Sequence, residues 1–554
     1  MKKFLYVCLL LIIITFTLNS CNQEQPSPEK ETFGDITPEE HTHKYGEWTI
    51  TSNASCTENG ERERVCDCGE KETKTIKALG HKYNISTCED IVCQVCNKLS
   101  KEQAHDFSVT RSDAPSLNAS AIQVEKCSKC GEENSTVLSE KVEPQTLGMP
   151  VIYIDDIDPG AIPLYDLKKS DGEITVKYRY VSNSADIESF DCFCEIKIQG
   201  ASSQHYPKKN FTVKFFEDEN LSEKLKVDLG WGKQTKYCMK ANYIDSSHSR
   251  NIVAAKLFSE IVQTRDNINE GLAAAPNYGL IDGYPVAVYL NGEFHGLYTM
   301  NIPKDKWTFN MSGKEESREA LLMADNWHDS VALKEEIGDS YEGSGWEVEH
   351  CSTDDDSWIK ESFNELIRLL NCKDNDRIKQ ELPNHLDIEA AIDNMLFTYA
   401  ISASDNVSKN VLWATYDGNV WIPSMYDMDG TFGIIWNGQP WGTTDPYNAK
   451  PTYPTISSSG KVKVADAKLY EVLISCYADE VEARWRSLRS SVLTLDNISK
   501  KFDDFFAAIP DIVYYSDQEK WNEIPYAKTN LANMYASVEQ QLARLDDFFY
   551  NFNQ

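Results

Sequence analysis

Hydrophobic and polar positions divide the chain into stretches of different rhythm. Phe4 to Phe16 is apolar throughout except at Thr15, and it follows Lys2 and Lys3. Asn22 to Glu31 is polar and Pro-containing. From 41 to about 140 large apolar residues are few and cysteines punctuate the chain. From Gly148 onward the apolar runs lengthen. Val151-Ile152-Tyr153-Ile154 and the alternating Glu173 to Tyr180 read as strands. Ile196 to Gln199 and Asn210 to Phe215 read as two more, joined through Gly200-Ala201-Ser202-Ser203. Ile252, Val253, Ala255, Leu257, Phe258 and Ile261 recur at helical spacing, with Ser246 or Ser247 as the N-cap. Pro285 to Met300 is a hairpin closed by Asn291-Gly292. A helix at about Ile388 to Ala403 leads to strand-like Val411 to Tyr416, a turn at Asp417-Gly418-Asn419, and Val420 to Pro423. Ser312 to Trp358, rich in Glu, Asp, Ser and Gly, reads as a partly ordered insertion, and its Asp354-Asp355-Asp356 as solvated surface. The expected class is α+β.

The first stretch is an address. A short basic start, a short apolar run and Leu18-Asn19-Ser20-Cys21 have the form of a lipoprotein signal peptide over residues 1–20. Cys21 would become the first mature residue and carry lipid, with 21–40 as a flexible linker. The competing reading is a plain secretory signal with an incidental cysteine. The expected place is the bacterial cell envelope, exported and lipid-anchored, at the outer membrane or cell surface. Lys and Arg number 55 against 87 Asp and Glu, a net charge of −32. Such a chain repels nucleic acid, whose affinity rests on cations set against phosphate.

Residues 41–142 form a Cys/His-rich repeat. His43-Lys44-Tyr45 precedes Cys56, then Cys66 and Cys68. His81-Lys82-Tyr83 precedes Cys88, then Cys93 and Cys96. His105-Asp106-Phe107 precedes Cys127 and Cys130. Close cysteine pairs present two thiolates to one tetrahedral ion. Grouped within each repeat, Cys56, Cys66 and Cys68 plus a histidine make one zinc site, and Cys88, Cys93 and Cys96 plus a histidine another. The third repeat lacks the middle cysteine, so its site is expected to be weaker. A disulfide framework and unmetallated surface repeats are the competing readings. So small a core needs a metal or disulfide staple.

Chemistry in the larger domain concentrates late. GxxxxGK[ST], HExxH and GxSxG are absent. Asp405-Asn406-Val407-Ser408-Lys409-Asn410 precedes a short hairpin, and Tyr426-Asp427-Met428-Asp429-Gly430 follows it. An Asp, an Asn five residues on, a hairpin, then an Asp before a Gly-containing loop is the spacing of protein-kinase active sites. Such sites use hard oxygen ligands because Mg²⁺ prefers them. The bland reading is an acidic hairpin on a solvated face. Upstream, the Gly200–Ser203 turn with Lys208 and Lys209 on the returning strand has the makings of a phosphate contact, or of an ordinary hairpin with solvated lysines. Arg250 near Asp245 reads as part of a cleft or as a surface ion pair.

With these clusters in this order, residues 148–554 resemble the CotH kinase family, whose domain is an atypical, bilobal protein-kinase-like fold. Gly200 to Phe215, Asp245 to Asn251, Gly292 to Tyr298, Asp405 to Asn410, Tyr426 to Gly433 and Glu482 to Leu488 carry the likeness. The resemblance implies binding of ATP with Mg²⁺ and phosphoryl transfer to Ser or Thr of a protein substrate. It implies Asp405 as the catalytic acid-base residue and Asn410 with Asp427 or Asp429 as metal ligands. Lys209, backed by Lys208, would meet phosphate, with Ser202 and Arg250 in the nucleotide cleft. After the Gly-Leu-Tyr hairpin the family commonly places a Glu, where this chain has Thr299-Met300-Asn301. The reading from another class is a kinase-fold binding or adhesion protein of the envelope that no longer catalyses.

Overall fold

The structure, a computed structural model, describes residues 42–157, 164–440, 453–458, 462–522 and 531–551. Cys21 and the apolar run before it lie outside these residues. The chain divides into two compact units, one reaching Ser108 and including Cys127–Glu132, the other made of Val109–Lys126 and everything from Glu133. Among the described residues no helix is long and apolar enough to cross a membrane.

The first unit holds the repeats. Strands β1 (Thr49–Ser52), β2 (Gly60–Val65) and β3 (Lys71–Ile76) form an antiparallel sheet, and β4 (Ile91–Val92) pairs with β5 (Leu99–Lys101). From 42 to 108 the buried hydrophobic residues are Cys56, Cys66, Cys88 and Cys93, while Ile50, Val65, Leu79, Ile85, Val95 and Leu99 are exposed. Thiols are therefore the core of this unit. The third repeat supplies β6 (Phe107–Ser112), β7 (Ala121–Cys127) and β8 (Glu133–Ser139).

The second unit is α+β. Strands β9 (Val151–Asp156), β10 (Ile174–Val181), β11 (Phe190–Gln199), β12 (Asn210–Phe216), β15 (Lys236–Lys240), β16 (Gly283–Leu290) and β17 (Glu293–Asn301) close into a barrel in the order β10-β11-β12-β15-β17-β16-β9. A two-residue-per-strand hairpin, β13 (Val227–Asp228) and β14 (Lys233–Gln234), precedes β15. Alternation assigns each strand residue to one of two cores. Val176, Tyr178, Ile196, Val213, Phe215, Met239, Val288 and Tyr298 fill the barrel. Ala287, Tyr289 and Leu297 face a larger core shared with the helices. The hairpin at Asn291-Gly292 forms as its sequence signal requires, with φ of 49° and 79° at the two turn residues.

Helices α1 (Arg250–Gln263), α2 (Glu270–Ala273), α3 (Ser357–Leu370), α4 (Asn375–Glu381) and α5 (Ile388–Ala400) surround a second sheet. Its strands run β19 (Trp346–Cys351), β18 (Ala320–Ala324), β20 (Val411–Thr415) and β21 (Ile422–Met425) in that order. This corrects the expectation of an insertion over 312–358. Ala320–Ala324 is fully buried and pairs with β20, so the segment is part of the scaffold. Its Asp354–Asp356 run is exposed, as read from sequence. Helices α6 (Lys468–Cys476), α7 (Ala478–Arg489), α8 (Leu495–Ala507), α9 (Asp511–Lys520) and α10 (Leu531–Phe549) complete the domain. In α7, Arg484 grips Asp393 of α5 at 2.7 and 3.0 Å, and Arg265 reaches the same carboxylate at 2.7 Å.

Candidate active site and the cysteine–histidine groups

The hairpin β20–β21 builds the acidic site. Val411 pairs with Met425, and one step further the Tyr426 N–H donates to Asn410 O at 2.9 Å. Both strands then leave the sheet through left-handed residues, Asn410 at φ 56° and Asp427 at φ 52°. Asn and Asp tolerate that region better than most residues. Register thus brings the two metal-ligand candidates together from 17 positions apart along the chain. The opposite edge of β20 is fixed by β18, whose Ala324 O accepts from the Asn410 N–H at 2.7 Å. Asp405 sits in a single 3-10 turn after α5 (Ser404–Asn406). The Asn410 side-chain N–H donates to Asp405 Oδ2 at 2.9 Å, which leaves its amide oxygen to offer a cation. Lys409 Nζ lies 2.9 Å from the same carboxylate oxygen.

Charge is concentrated here. Burial raises the Asp405 carboxyl above its ordinary value, against the pull of Lys409, and Asp427 raises it further. Asp429 is pushed well above the carboxylate range by burial first, then by the charges of Asp427, Asp245 and Asp405. Besides Lys409, a cation among them is Lys240 at the end of β15, with Nζ 4.0 Å from Asp427 Oδ1. Burial works against its charge, but Tyr426, Asp427 and Asp429 outweigh that and hold it protonated. Tyr237 and Met239 point into the barrel, so alternation turns Lys240 outward to the acids.

Two asparagines hold the loops in place. Asn406 donates to Tyr426 O at 2.7 Å and to Asn410 O at 3.3 Å. Asn251 Oδ1 accepts from the Met428 N–H at 3.0 Å, between the two acids of the loop. The first turn of α1 is anchored by Asp245. Its Oδ2 accepts from the Arg250 N–H at 2.9 Å, its Oδ1 from the Ser247 hydroxyl at 2.5 Å and from the Arg250 guanidinium. Ser249 is the N-cap and makes no side-chain cap bond, so Asp245 does the work expected of Ser246 or Ser247.

Of the remaining expected nucleotide contacts, the two lysines bond elsewhere and Arg250 is tied to Asp245 and to the loop that follows Asp429. Lys208 is 1% exposed, with Nζ 2.7 Å from Asp517 Oδ1 of α9 and donating to Leu297 O at 2.6 Å. A charge buried this deeply needs its partner, so Lys208 is a structural ion pair and not a phosphate contact. His248 Nε2, 3.1 Å from Asp517 Oδ2, completes the group. Burial raises the Asp517 carboxyl, but Lys208 and His248 outweigh it and bring it to about 2. A Cβ on Gly296 would stand 2.6 Å from Asp517 Oδ1 and 2.8 Å from Lys208 Cε, so the hairpin carries glycine there. Lys209 Nζ donates to Gln204 O at 2.6 Å. Ser202 is exposed in the preceding turn. Arg250 is committed to Asp245 and to Thr431 O, at 3.0 Å from the latter. Thr299, where the family resemblance called for a Glu nearby, pairs directly opposite Lys240 and accepts from the Asn242 side chain at 3.1 Å. A cavity of about 410 Å³ is lined by Leu147, Tyr180, Tyr284 and Ile509 among others and includes none of the acids.

The repeats gather their thiols differently from the within-repeat grouping. The three groups are Cys56, His81, Cys93 and Cys96; Cys88, His105, Cys127 and Cys130; and His43, Cys66 and Cys68. The third repeat, expected to be the weak one, has a full set of four, and the first has three. Sγ atoms of Cys56 and Cys93 are 3.7 Å apart, and those of Cys88 and Cys127 are 3.4 Å apart. Each histidine presents Nδ1, at 3.3 Å from Cys68, 3.4 Å from Cys96 and 3.4 Å from Cys130. Burial raises the Cys93 and Cys127 thiols, but backbone N–H groups outweigh it and bring both to about 5. Among the described residues these are the groups of three or more such side chains close enough to share an ion; the acids of β20–β21 form none.

Asp517 and Lys240 are not legible as site residues in the sequence because each acts across the fold. The only local trace of Lys240 is its place at the end of an alternating strand. No match was found among curated proteins. The CotH kinase protein family matches residues 196–551, which spans β11 to α10 and takes in Lys240, Asp245, Asp405, Asn410, Asp427, Asp429 and Asp517. Since this match covers well over half the chain and every element that builds the acidic site, the chain belongs to the CotH kinase protein family.

Proposed function

We propose that this protein binds Mg-ATP at the β20–β21 hairpin and transfers phosphate to Ser or Thr of a protein substrate. The observation that carries the reading is the convergence of Asp405, Asp427, Asp429 and Asn410 beside Lys240. Asp429 is held above the carboxylate range by burial first and then by Asp427, Asp245 and Asp405, and the three carboxylates outnumber Lys240 and Lys409, so the cluster is short of positive charge. Hard oxygens with that deficit fit Mg²⁺, which is bound by few carboxylates and keeps waters and phosphate oxygens as its other ligands. Bound there, Mg²⁺ would neutralise charge on the transferring phosphate. Asp427 and Asp429 would hold it with the Asn410 amide oxygen. Asp405 would orient the acceptor hydroxyl and take up its proton, and Lys240 would meet phosphate oxygens.

Titration of Mg-ATP calorimetrically, beside a phosphorylation assay, tests this. Asp405→Ala should abolish transfer and leave nucleotide affinity nearly intact, because it acts in the transition state. Asp427→Ala should weaken Mg²⁺-dependent binding as well. Unchanged activity in both removes the kinase reading. A non-catalytic binding protein is the second reading, favoured by the acids' failure to close into a group the size of one ion; nucleotide affinity without transfer would support it.

For the repeats we infer zinc. A tetrahedral ion with bonds of about 2.3 Å to sulfur sets ligand sulfurs about 3.8 Å apart, close to the spacings of the Cys56–Cys93 and Cys88–Cys127 pairs. The signal-like start supports export and lipid attachment at Cys21. Cys21→Ser should release the protein into the soluble exported fraction; a variant that stays as tightly membrane-bound as the parent overturns the anchor.

A further inference from the structure

We propose that the two four-ligand metal sites in the repeats are each shared between consecutive repeats, the lone cysteine of one completing the site of the next. This rests on the zinc reading above. The lone cysteine sits in a turn whose serine hydroxyl accepts two backbone N–H groups. In the first repeat Ser55 Oγ accepts from Thr57 and Glu58, at 3.3 and 2.9 Å; in the second, Ser86 Oγ accepts from Cys88 and Glu89, at 3.3 and 2.9 Å. Each turn is hooked onto the chain just ahead of the following histidine. Leu79 N–H donates to Ser55 O at 2.9 Å and Gly80 N–H to Cys56 O at 3.0 Å, immediately before His81. The Gln103 side chain donates to Ser86 O at 2.7 Å, two residues before His105. Backbone connectivity therefore delivers Cys56 and Cys88 forward.

The third repeat supports the same rule by its exception. Its turn is built alike, with Ser116 Oγ accepting from Asn118 and Ala119 at 3.1 and 3.0 Å. Leu117 stands where the first repeat has its cysteine. It is 2% exposed, and its N–H donates to Ser516 Oγ of α9 at 2.9 Å. Beyond the third repeat this turn meets an apolar surface and not a thiolate pair, so the residue sent forward is leucine.

Outer partners of the histidines fit metal ligation. His43 Nε2 lies 3.4 Å from Glu70 and His105 Nε2 3.3 Å from Glu132, the glutamates two residues after the last cysteine in each case. A carboxylate on the far nitrogen holds the near one as a ligand. In the second repeat Lys98 takes that position, and His81 Nε2 is buried without a partner among the described residues. Among the described residues the first group is His43, Cys66 and Cys68.

Zinc counted per full chain, after dialysis against a mild chelator, tests the sharing. Cys56→Ser with Cys93→Ser should lose one ion relative to the wild type, because both belong to one site. Cys88→Ser with Cys93→Ser should lose two. The reverse pattern, two ions lost by the first pair and one by the second, overturns sharing while leaving zinc in place. Cobalt substitution guards against misfolded variants: Cys56→His should keep every wild-type ion with a weaker sulfur-to-cobalt band. Loss of an ion in Cys56→His also counts against sharing. A chain without metal and with all eight repeat cysteines oxidised would overturn the zinc reading itself.

Discussion

The repeats and the large domain solve the same problem with opposite materials. In the repeats the buried hydrophobic side chains up to Ser108 are cysteines, and longer apolar residues such as Ile85 stand in solvent. In the large domain two extensive apolar cores carry the fold, and the polar chemistry sits in a small acidic cluster at a strand end. On the zinc reading, one region is folded by its ligands, while the other has apolar cores to fold on and presents its ligands. Soft donors can do the former because thiolate–metal bonds supply folding energy outright. Hard carboxylates cannot, since their mutual repulsion opposes the fold until a cation arrives.

The largest expected effect separates the two regions. A strong chelator should unfold the repeats, since a structural zinc site contributes on the order of 10 kcal/mol, while the thermal transition of the large domain stays put. Hydrogen exchange over 42–108 and 148–551 reads both at once. Simultaneous loss of protection in the two would break the comparison. Next is the buried ion pair. Lys208→Met or Asp517→Asn should each destabilise the large domain by about 3–5 kcal/mol, because the surviving group is left buried without its partner. The double variant should lose clearly less than the sum. Denaturant unfolding measures this.

A smaller effect is expected at Lys240. Lys240→Met should weaken Mg-ATP binding by roughly 1.5–3 kcal/mol, the worth of a charge-assisted hydrogen bond, with little change in melting temperature. Unaltered affinity would return the phosphate contact to Lys209. The smallest concerns pH. Asp429 binds its proton more tightly folded than unfolded, so its contribution to stability falls as pH rises from the ordinary carboxylate value to its raised one. Mg²⁺ competes with that proton. Thermal stabilisation by Mg²⁺ should therefore grow as pH rises, and a flat profile would exclude Asp429 as a ligand.

Legibility in the sequence followed distance along the chain. Asp405, Asn410 and Asp427 were readable because one helix end and one hairpin place them, and the Asn291-Gly292 turn announced itself. The strand Ala320–Ala324 was hidden in a polar, glycine-containing stretch, though it carries β20. Lys208 and Lys209 are neighbours of the same type, and only the barrel decides that one is entombed and neither meets the acids. Repeat unity misled the grouping of cysteines: the eye closes each site within its repeat, whereas the backbone hooks at Leu79, Gly80 and Gln103 carry Cys56 and Cys88 into the next one.

The ion pair of Lys208 with Asp517 joins residues 309 positions apart. Synthesis runs from the N-terminus, so the barrel strands leave the ribosome long before α9 exists. At that stage Lys208 has no carboxylate partner, and the face of the hairpin at Gly296 that α9 covers stands open to water. Burial of that charge therefore waits for the arrival of α9.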